Sequence, residues 1–251
     1  MCTLVVAWQV FTAYPVCVAT NRDEAVDRPS VPPKRHETSP RIIAPQDNRA
    51  GGTWLGYNEH GLFVAVTNRW VAGEGDRSRG LLVMDALSQR TAEQAIETVQ
   101  DELAVRDYAP FNILAADSSY GNNSGSCYLF EHEPTDQLTE FDPGVHIVVN
   151  VGADGNWFVP TERPMAGRDQ AANAETVRTA LEPRPDESAK AWTTRAGEIL
   201  GDHDYGVCLH RNGFGTRSSS LLRLGRTREF EFADGPPCQT PFEPVSESIL
   251  L

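Results

Sequence analysis

Short apolar runs bounded by turn residues recur along this chain and predict β-strands. Two such runs open the chain at residues 3–8 and 15–21, and a hairpin is predicted over Thr53–Tyr57 and Leu62–Asn68. The remaining predicted strands fall at 111–117, 126–131, 145–150, 206–210, 216–224 and 228–232. The apolar pattern therefore predicts sheet structure in three blocks.

Between these blocks the apolar residues recur every three to four positions, which is typical of amphipathic helices. Residues 80–104 are predicted to form two helices broken near 89–91, and residues 165–200 two helices separated at Pro183 and Pro185. No repeat or linker interrupts this order. We therefore expect a single domain over residues 1–251, an α+β protein with two antiparallel sheets inside helical layers.

Two segments are predicted to lie outside the strands and helices. The segment Arg28–Asn48 is polar and rich in proline, which indicates a long surface loop over the end of a sheet. The segment between residues 117 and 126 is a cluster of serine, glycine and asparagine, which indicates a turn.

The charge of the chain limits its partners. It carries 35 acidic residues against 22 lysines and arginines, a net charge of −13, and only Lys34 and Lys190 are lysines. A nucleic-acid partner is disfavoured because a basic surface would be expected for one. Strong acidity with so little lysine favours a surface kept in solution at high salt, as in halophilic proteins.

The sequence gives no membrane or secretion signal. No stretch of 18 apolar residues occurs, and the first residues lack the basic region and cleavage site of a signal peptide. The five cysteines are odd in number and form no CxxC pair. We expect a cytoplasmic protein with reduced thiols.

Metal and cofactor motifs are weak. Cys208 and His210 would share one face of a strand, but two ligands without a second pair favour a structural role. The glycines of residues 73–80 lack the lysine of a phosphate-binding loop. The expectation from the sequence is no metal and no cofactor.

Cys2 directly follows Met1 at the start of an apolar strand. If Met1 is removed, Cys2 carries both a thiol and an α-amine, and the amine pKa of about 7.7–8.0 lies close to that of a free thiol. The amine can then accept the thiol proton near neutral pH. The alternative is that Cys2 is a small apolar residue at a strand start.

Polar residues end three of the predicted apolar strands. They are the segment Asn21-Arg22-Asp23-Glu24, the pair Asn68-Arg69, and Asn150. Each alone fits an ordinary strand end. Together with a nucleophile at Cys2 they provide the amide donors and the carboxylate that an acyl-transfer site needs.

Five motifs are similar to those of the NRDE family, which includes the transport and Golgi organisation protein 2 of eukaryotes. They are Met1-Cys2-Thr3, Asn21-Arg22-Asp23-Glu24, Gly51-Gly52-Thr53-Trp54-Leu55-Gly56, Thr67-Asn68-Arg69 and Gly215-Thr216-Arg217-Ser218-Ser219. More remotely, the chain resembles the choloylglycine hydrolases and penicillin V acylases of the N-terminal nucleophile superfamily. This resemblance implies a four-layer αββα sandwich of two antiparallel sheets.

The resemblance also implies roles for individual residues. Cys2 would be the nucleophile and Asp23 the carboxylate that holds the terminal amine, with Asn68 and Asn150 in the oxyanion hole and Arg217 beside the thiol. Substrate contacts would come from the residues Asn21, Arg22, Trp54 and Arg69. We expect Cys2 to be the most reactive of the five thiols, in an electropositive setting that lowers its pKa.

One position departs from the hydrolase pattern. The hydrolases carry an arginine three residues before the aspartate, where this chain has Thr20, and Arg22 is adjacent to Asp23 instead. Strand alternation places Arg22 on the face opposite Asp23 unless the strand end is bulged.

Two functions follow from the resemblance. The first is an amidohydrolase or acyl-transfer enzyme with Cys2 as nucleophile, acting on a linear amide or acyl substrate of small size. The second is a non-catalytic carrier on the same fold, binding haem or lipid and acyl metabolites. Retention of Met1 would exclude the first, because Cys2 would then have no free amine.

Overall fold

In the computed structural model, residues 2–118 and 125–246 are described. The strands are β1 Thr3–Phe11, β2 Tyr14–Ala25, β3 Ser30–His36, β4 Ile42–Asp47, β5 Leu55–Asn58, β6 Leu62–Asn68, β7 Phe111–Asp117, β8 Cys127–His132, β9 Gln137–Glu140, β10 Gly144–Val149, β11 Gly152–Ala153, β12 Asn156–Trp157, β13 His210–Arg211, β14 Phe214–Leu224, β15 Arg228–Ala233 and β16 Glu243–Pro244. The helices are α1 Arg79–Ala86, α2 Ala92–Leu103, α3 Pro164–Ala180 and α4 Ala189–Gly201, followed by a 3-10 turn at His203–Tyr205. None of these helices is long and apolar enough to cross a membrane.

The described residues form two compact units. The first contains residues 2–27 and 143–246, and the second contains residues 28–118 and 125–142. Each unit holds one antiparallel sheet and one pair of helices. The predicted α+β class with two antiparallel sheets is therefore confirmed, while the single domain over residues 1–251 stays a prediction.

The sheet of the first unit is ordered β12-β11-β10-β1-β2-β14-β15-β16, with β13 paired to β14. Its central strands are buried, and side chains such as those of Leu4, Val18 and Leu222 belong to the apolar core. Helix α4 packs on β2 and β14, and α3 packs on β10. The fully buried Trp192 of α4 contacts Phe11 at a ring-centroid distance of 6.0 Å.

The sheet of the second unit is ordered β3-β4-β5-β6-β7-β8-β9. Helix α1 packs on β6, and α2 packs on β7 and β8. The start of α1 approaches the Gly51-Gly52-Thr53-Trp54 segment closely, since a Cβ at Gly52 would lie 2.1 Å from the carbonyl carbon of Gly80. The glycine in this motif is therefore required for backbone packing.

Two of the predicted segments were wrong. Residues 28–48 are not a loop but contain β3 and β4, and β3 is the edge strand of its sheet. Its prolines are tolerated because an edge strand has one unpaired side, and Pro32 and Pro33 lie where the register with β4 shifts. The strand predicted at 206–210 is instead the end of the 3-10 turn and the short β13.

The other predicted helices and strands are present. The helix pairs break at residues 87–91 and 181–188, as expected from the periodicity. Ser78, Thr91 and Ser188 cap helices α1, α2 and α4 by accepting backbone N–H groups. The turn predicted between 117 and 126 falls mainly on residues 119–124, which lie outside the described residues.

Candidate active site

Cys2 lies at the end of the central strand β1. The adjacent Thr3 is opposite Asn21 of β2 on one side and Val149 of β10 on the other. Extending this register by one residue places Cys2 level with Arg22 on one side and with Asn150 on the other. The strand pairing thus brings the predicted nucleophile beside the polar ends of β2 and β10.

The backbone nitrogen of Cys2 is held by a side-chain amide. It donates to Oδ1 of Asn150 over 2.9 Å, and Nε2 of Gln170 donates to the same oxygen, also over 2.9 Å. Both Asn150 and Gln170 are buried. Because two donors converge on one oxygen, the amide of Asn150 is fixed with its carbonyl end towards the Cys2 nitrogen.

The thiol of Cys2 is half-buried, and its Sγ lies 3.8 Å from the backbone carbonyl oxygen of Asp23. Burial raises the pKa of this thiol, and the positive charge of Arg22 lowers it by a smaller amount. The expectation that an electropositive setting lowers the thiol pKa was therefore wrong, because the cost of burying a thiolate is the larger effect.

The carboxyl group of Asp23 is buried against a hydroxyl donor. Oγ1 of Thr216 donates to its Oδ1 over 2.6 Å, and the backbone N–H of Leu209 donates to the same Oγ1 over 2.9 Å. Burial raises the pKa of Asp23 to about 6, although the hydrogen bond from Thr216 acts in the opposite direction. Asp23 therefore changes charge close to neutral pH.

A β-bulge lies beside Asp23, on the strand that pairs with it. Asp23 is opposite Thr216, but Arg22 is opposite Ser218, so Arg217 is the extra residue of β14. Bulges re-aim side chains and are frequent next to active sites. The Nε of Arg217 is buried and has no hydrogen-bond partner among the described residues.

Arg22 itself remains on the regular strand β2. Because the bulge is in β14, alternation along β2 still directs Arg22 and Asp23 to opposite faces. Arg22 is 6% exposed, and its guanidinium lies 4.0 Å from the carboxylate of Glu24. Its positive charge acts on the Cys2 thiol, and its role in substrate contact stays a prediction.

Asn21 makes contacts of a structural kind. Its Nδ2 donates over 2.9 Å to the carbonyl oxygens of Leu200 and Val207, at the end of α4 and just after the 3-10 turn. Both amide hydrogens are thus used on backbone groups that would otherwise be buried without partners. A role for Asn21 in substrate binding stays a prediction.

Three of the residues implied by the resemblance lie in the second unit. Asn68 is exposed at the end of β6, and Trp54 is half-buried before β5. Arg69 forms an ion pair with Glu131 and donates to Oδ1 of Asn112 over 2.8 Å. The roles of Asn68 in the oxyanion hole and of Trp54 and Arg69 in substrate contact stay predictions.

Sequence reasoning missed Gln170 and gave Thr216 no role of its own. Gln170 occupies the buried stripe of α3 that also contains Gly167, Ala174 and Val177. A glutamine at a stripe position was the available signal, because buried polar side chains need partners. Among the described residues one group of side chains can hold a metal ion, formed by His203, Cys208, His210 and Cys238.

Comparison with known structures identifies the fold. A penicillin V acylase from Agrobacterium tumefaciens superposes with a TM-score of 0.54 at 13% identity, covering 92% of this chain and 82% of the acylase. A Caenorhabditis elegans ortholog of N-acylethanolamine-hydrolyzing acid amidase gives a TM-score of 0.55 at 15% identity, covering 88% and 92%. The chain therefore has the fold of N-terminal nucleophile hydrolases.

Comparison of sequences identifies the family. The mouse (Mus musculus) Transport and Golgi organization 2 homolog is 30% identical over 151 residues, which cover 58% of this chain and 54% of the relative. The matched region thus spans about half the length of that relative. The family model described as Transport and Golgi organisation 2 matches residues 1–235. The motif resemblance is confirmed, and this chain belongs to the Transport and Golgi organisation 2 family.

Proposed function

We propose that this protein is an amidohydrolase with Cys2 as its N-terminal nucleophile, acting on the N-acyl bond of a small linear amide. The observation that carries the proposal is the hydrogen bond of 2.9 Å between the Cys2 nitrogen and Oδ1 of Asn150. After removal of Met1 this nitrogen becomes the α-amine. Asn150 then holds the amine at the position where it serves as the base for the adjacent thiol, a role that differs from the place in the oxyanion hole implied by the resemblance.

In the acylation step, the Cys2 sulfur attacks the substrate carbonyl carbon and the α-amine takes the thiol proton. The amine then gives this proton to the leaving nitrogen as the carbon–nitrogen bond breaks, which leaves a thioester on Cys2. In the second step the amine deprotonates a water molecule, whose oxygen attacks the thioester. The carbon–sulfur bond breaks, the acid is released, and the proton returns to the sulfur.

The raised pKa of the thiol is compatible with this proposal. A half-buried thiol favours its neutral form before substrate binds, so that transfer to the amine occurs together with attack. The Nε of Arg217 is buried without a partner among the described residues, and we propose that it donates a hydrogen bond to a polar group of the substrate. The two proteins of similar fold are named as a penicillin V acylase and as an ortholog of an N-acylethanolamine-hydrolyzing acid amidase, and amide hydrolysis is proposed here by analogy.

The raised thiol pKa also favours the second candidate, a carrier of haem or lipid and acyl metabolites that retains the fold without turnover. In this role Cys2 would remain a neutral thiol and Met1 need not be removed. We propose the amidohydrolase first because Asn150 accepts a hydrogen bond from the Cys2 nitrogen, which becomes the catalytic base once Met1 is removed.

Intact-mass spectrometry of the purified protein tests the proposal directly. We expect a mass lower by one methionine residue, and an acyl adduct on Cys2 after brief incubation with N-acyl amides that carry a chromogenic amine. Cys2→Ala should abolish both the adduct and the release of the amine, whereas the buried Cys127→Ala serves as a control. Retained Met1 would overturn the amidohydrolase, and stoichiometric haem binding by that protein would then support the carrier.

A further inference from the structure

Four side chains with soft donor atoms converge in the first compact unit, away from Cys2 in sequence. His203 lies in the 3-10 turn after α4, Cys208 follows that turn, His210 begins β13, and Cys238 lies in the segment after β15. One donor atom from each of the four lies within 4.8 Å of all the others. We call these four residues the four-donor cluster.

The spacing of three of the four donor atoms is close to that of a tetrahedral metal site. Sγ of Cys208 lies 3.5 Å from Sγ of Cys238 and 3.8 Å from Nε2 of His210, which is 3.1 Å from Sγ of Cys238. Zinc–sulfur bonds of about 2.3 Å and zinc–nitrogen bonds of about 2.0–2.1 Å at tetrahedral angles place neighbouring ligand atoms roughly 3.3–3.8 Å apart. A metal ion at the centre would therefore require only small shifts of these three side chains.

The fourth ligand is oriented compatibly. The rings of His203 and His210 have a centroid distance of 5.2 Å and an interplanar angle of 73°. An edge-on arrangement of this kind lets two imidazoles direct a nitrogen at one point. Both histidines are exposed, which gives an ion a path to the buried Cys208.

The backbone around the cluster is held in place independently of any ion. The segment carrying Cys238 turns at Pro236, whose carbonyl oxygen accepts the N–H groups of Gln239 and Thr240 over 2.9 Å. Gly201, at the end of α4, packs tightly on this segment, since a Cβ there would lie 3.2 Å from the carbonyl carbon of Pro237. The ligands are thus presented by a preformed backbone.

From this geometry we infer that the four-donor cluster is a structural zinc site. Two thiolates and two imidazoles are the donor set that zinc takes in closed four-coordinate sites, and they disfavour magnesium and calcium, which prefer oxygen ligands. The ion would link the segment after β15 to the β13–β14 hairpin and to the turn after α4. Sequence spacing concealed the site, because Cys238 comes 28 residues after His210.

The site would also support the polar end of β2. Leu209, between two of the ligands, exchanges hydrogen bonds with Thr216: its N–H donates to Oγ1 and its carbonyl oxygen accepts the Thr216 N–H, both over 2.9 Å. Thr216 in turn donates to Asp23. The metal site would thus be connected to the carboxyl group of Asp23 through Leu209 and Thr216.

Metal content measured on the reduced, full-length protein tests the inference without any measurement of turnover. We expect about one zinc ion per chain after equilibration with micromolar zinc, and a tetrahedral thiolate spectrum when cobalt replaces it. Zinc should raise the melting temperature by about 5 °C or more. Cys238→Ser and His210→Ala should each weaken zinc binding at least 10-fold, whereas Cys127→Ala should not.

Both ligand variants change residues outside the long strands, and circular dichroism checks that they fold. Zinc well below one equivalent in the reduced wild-type protein would overturn the inference. Unchanged binding in folded Cys238→Ser would overturn it as well. So would a disulfide between Cys208 and Cys238 in the isolated protein whose reduction exposes no zinc affinity.

Discussion

The nitrogen of Cys2 and the amide oxygen of Asn150 are 2.9 Å apart in space and 148 residues apart in the chain. The contact arises because β10 pairs with β1 in antiparallel register, so that the residue after β10 reaches the residue before β1. Gln170 completes the arrangement from α3 by donating to the same oxygen. The sheet and one helix of the first unit together fix the group that would become the α-amine.

Asn150→Ala should therefore reduce turnover by about 10²-fold with a smaller effect on KM, because the amide acts on the reacting groups rather than on the bound substrate. Gln170→Leu should give a smaller loss, since Gln170 positions Asn150 and does not touch the substrate. The exposed Asn212→Ala is the matched control. Steady-state kinetics on the processed protein measure all three, and an unchanged kcat in Asn150→Ala would remove this residue from the mechanism.

Asp23 should make stability depend on pH in a direction opposite to that of a salt-bridged aspartate. Its pKa is raised by burial from 3.8 to about 6, so the folded state binds a proton that the unfolded state releases between these values. Stability from this group is fully present below pH 3.8 and is lost as the pH rises through about 6.

Comparison with Asp23→Asn isolates this effect, because asparagine stays neutral throughout. Relative to the variant, the wild-type protein should lose about 2 kcal/mol between pH 4.5 and pH 7. This corresponds to a relative fall in melting temperature of about 4–8 °C. Parallel melting curves at the two pH values would argue against the buried, titrating carboxyl group.

Asn21 should prove important for stability. Asn21→Ala leaves the buried carbonyl oxygens of Leu200 and Val207 without their donor, which should cost about 2–4 kcal/mol. The melting temperature should fall by about 5–10 °C, against almost no change in the exposed Asn212→Ala. A loss of activity at unchanged melting temperature would instead favour the substrate contact implied by the motif resemblance.

The motif resemblance and the periodicity together predicted most of the fold. Helix breaks at 87–91 and 181–188 followed from local signals, namely the apolar periodicity and the prolines at 183 and 185. The segment 28–48 was misassigned because its prolines are unfavourable in a central strand but acceptable on the edge strand β3, and edge position is a property of the whole sheet.

The candidate site could be predicted only in part for a similar reason. Cys2, Asp23 and Asn150 stand at strand ends, where the sequence pattern directs attention. The role of Gln170 and the four-donor cluster both depend on contacts between distant segments, which hydrophobic periodicity does not encode. The direction of the Cys2 pKa was wrong because burial of the thiol outweighs the nearby positive charge.

The order in which the thiols are alkylated should depend on zinc. Cys17, Cys127 and Cys208 are buried, and burial raises the pKa of Cys17 to about 12, so all three thiols should react slowly. Cys238 is exposed and Cys2 is half-buried. In the zinc-free protein we expect Cys238 to be labelled first and Cys2 second.

Zinc should protect Cys238 through coordination, so that Cys2 becomes the most reactive thiol, as the sequence led us to expect. Labelling with iodoacetamide for increasing times, followed by peptide mass mapping with and without zinc, measures the order. Because Cys127→Ala removes a thiol that plays no part in either site, its labelling pattern should otherwise match the wild type. Early labelling of Cys17 or Cys127 in the native protein would contradict the assignment of Cys2 as nucleophile, and zinc-independent labelling of Cys238 would contradict the metal site.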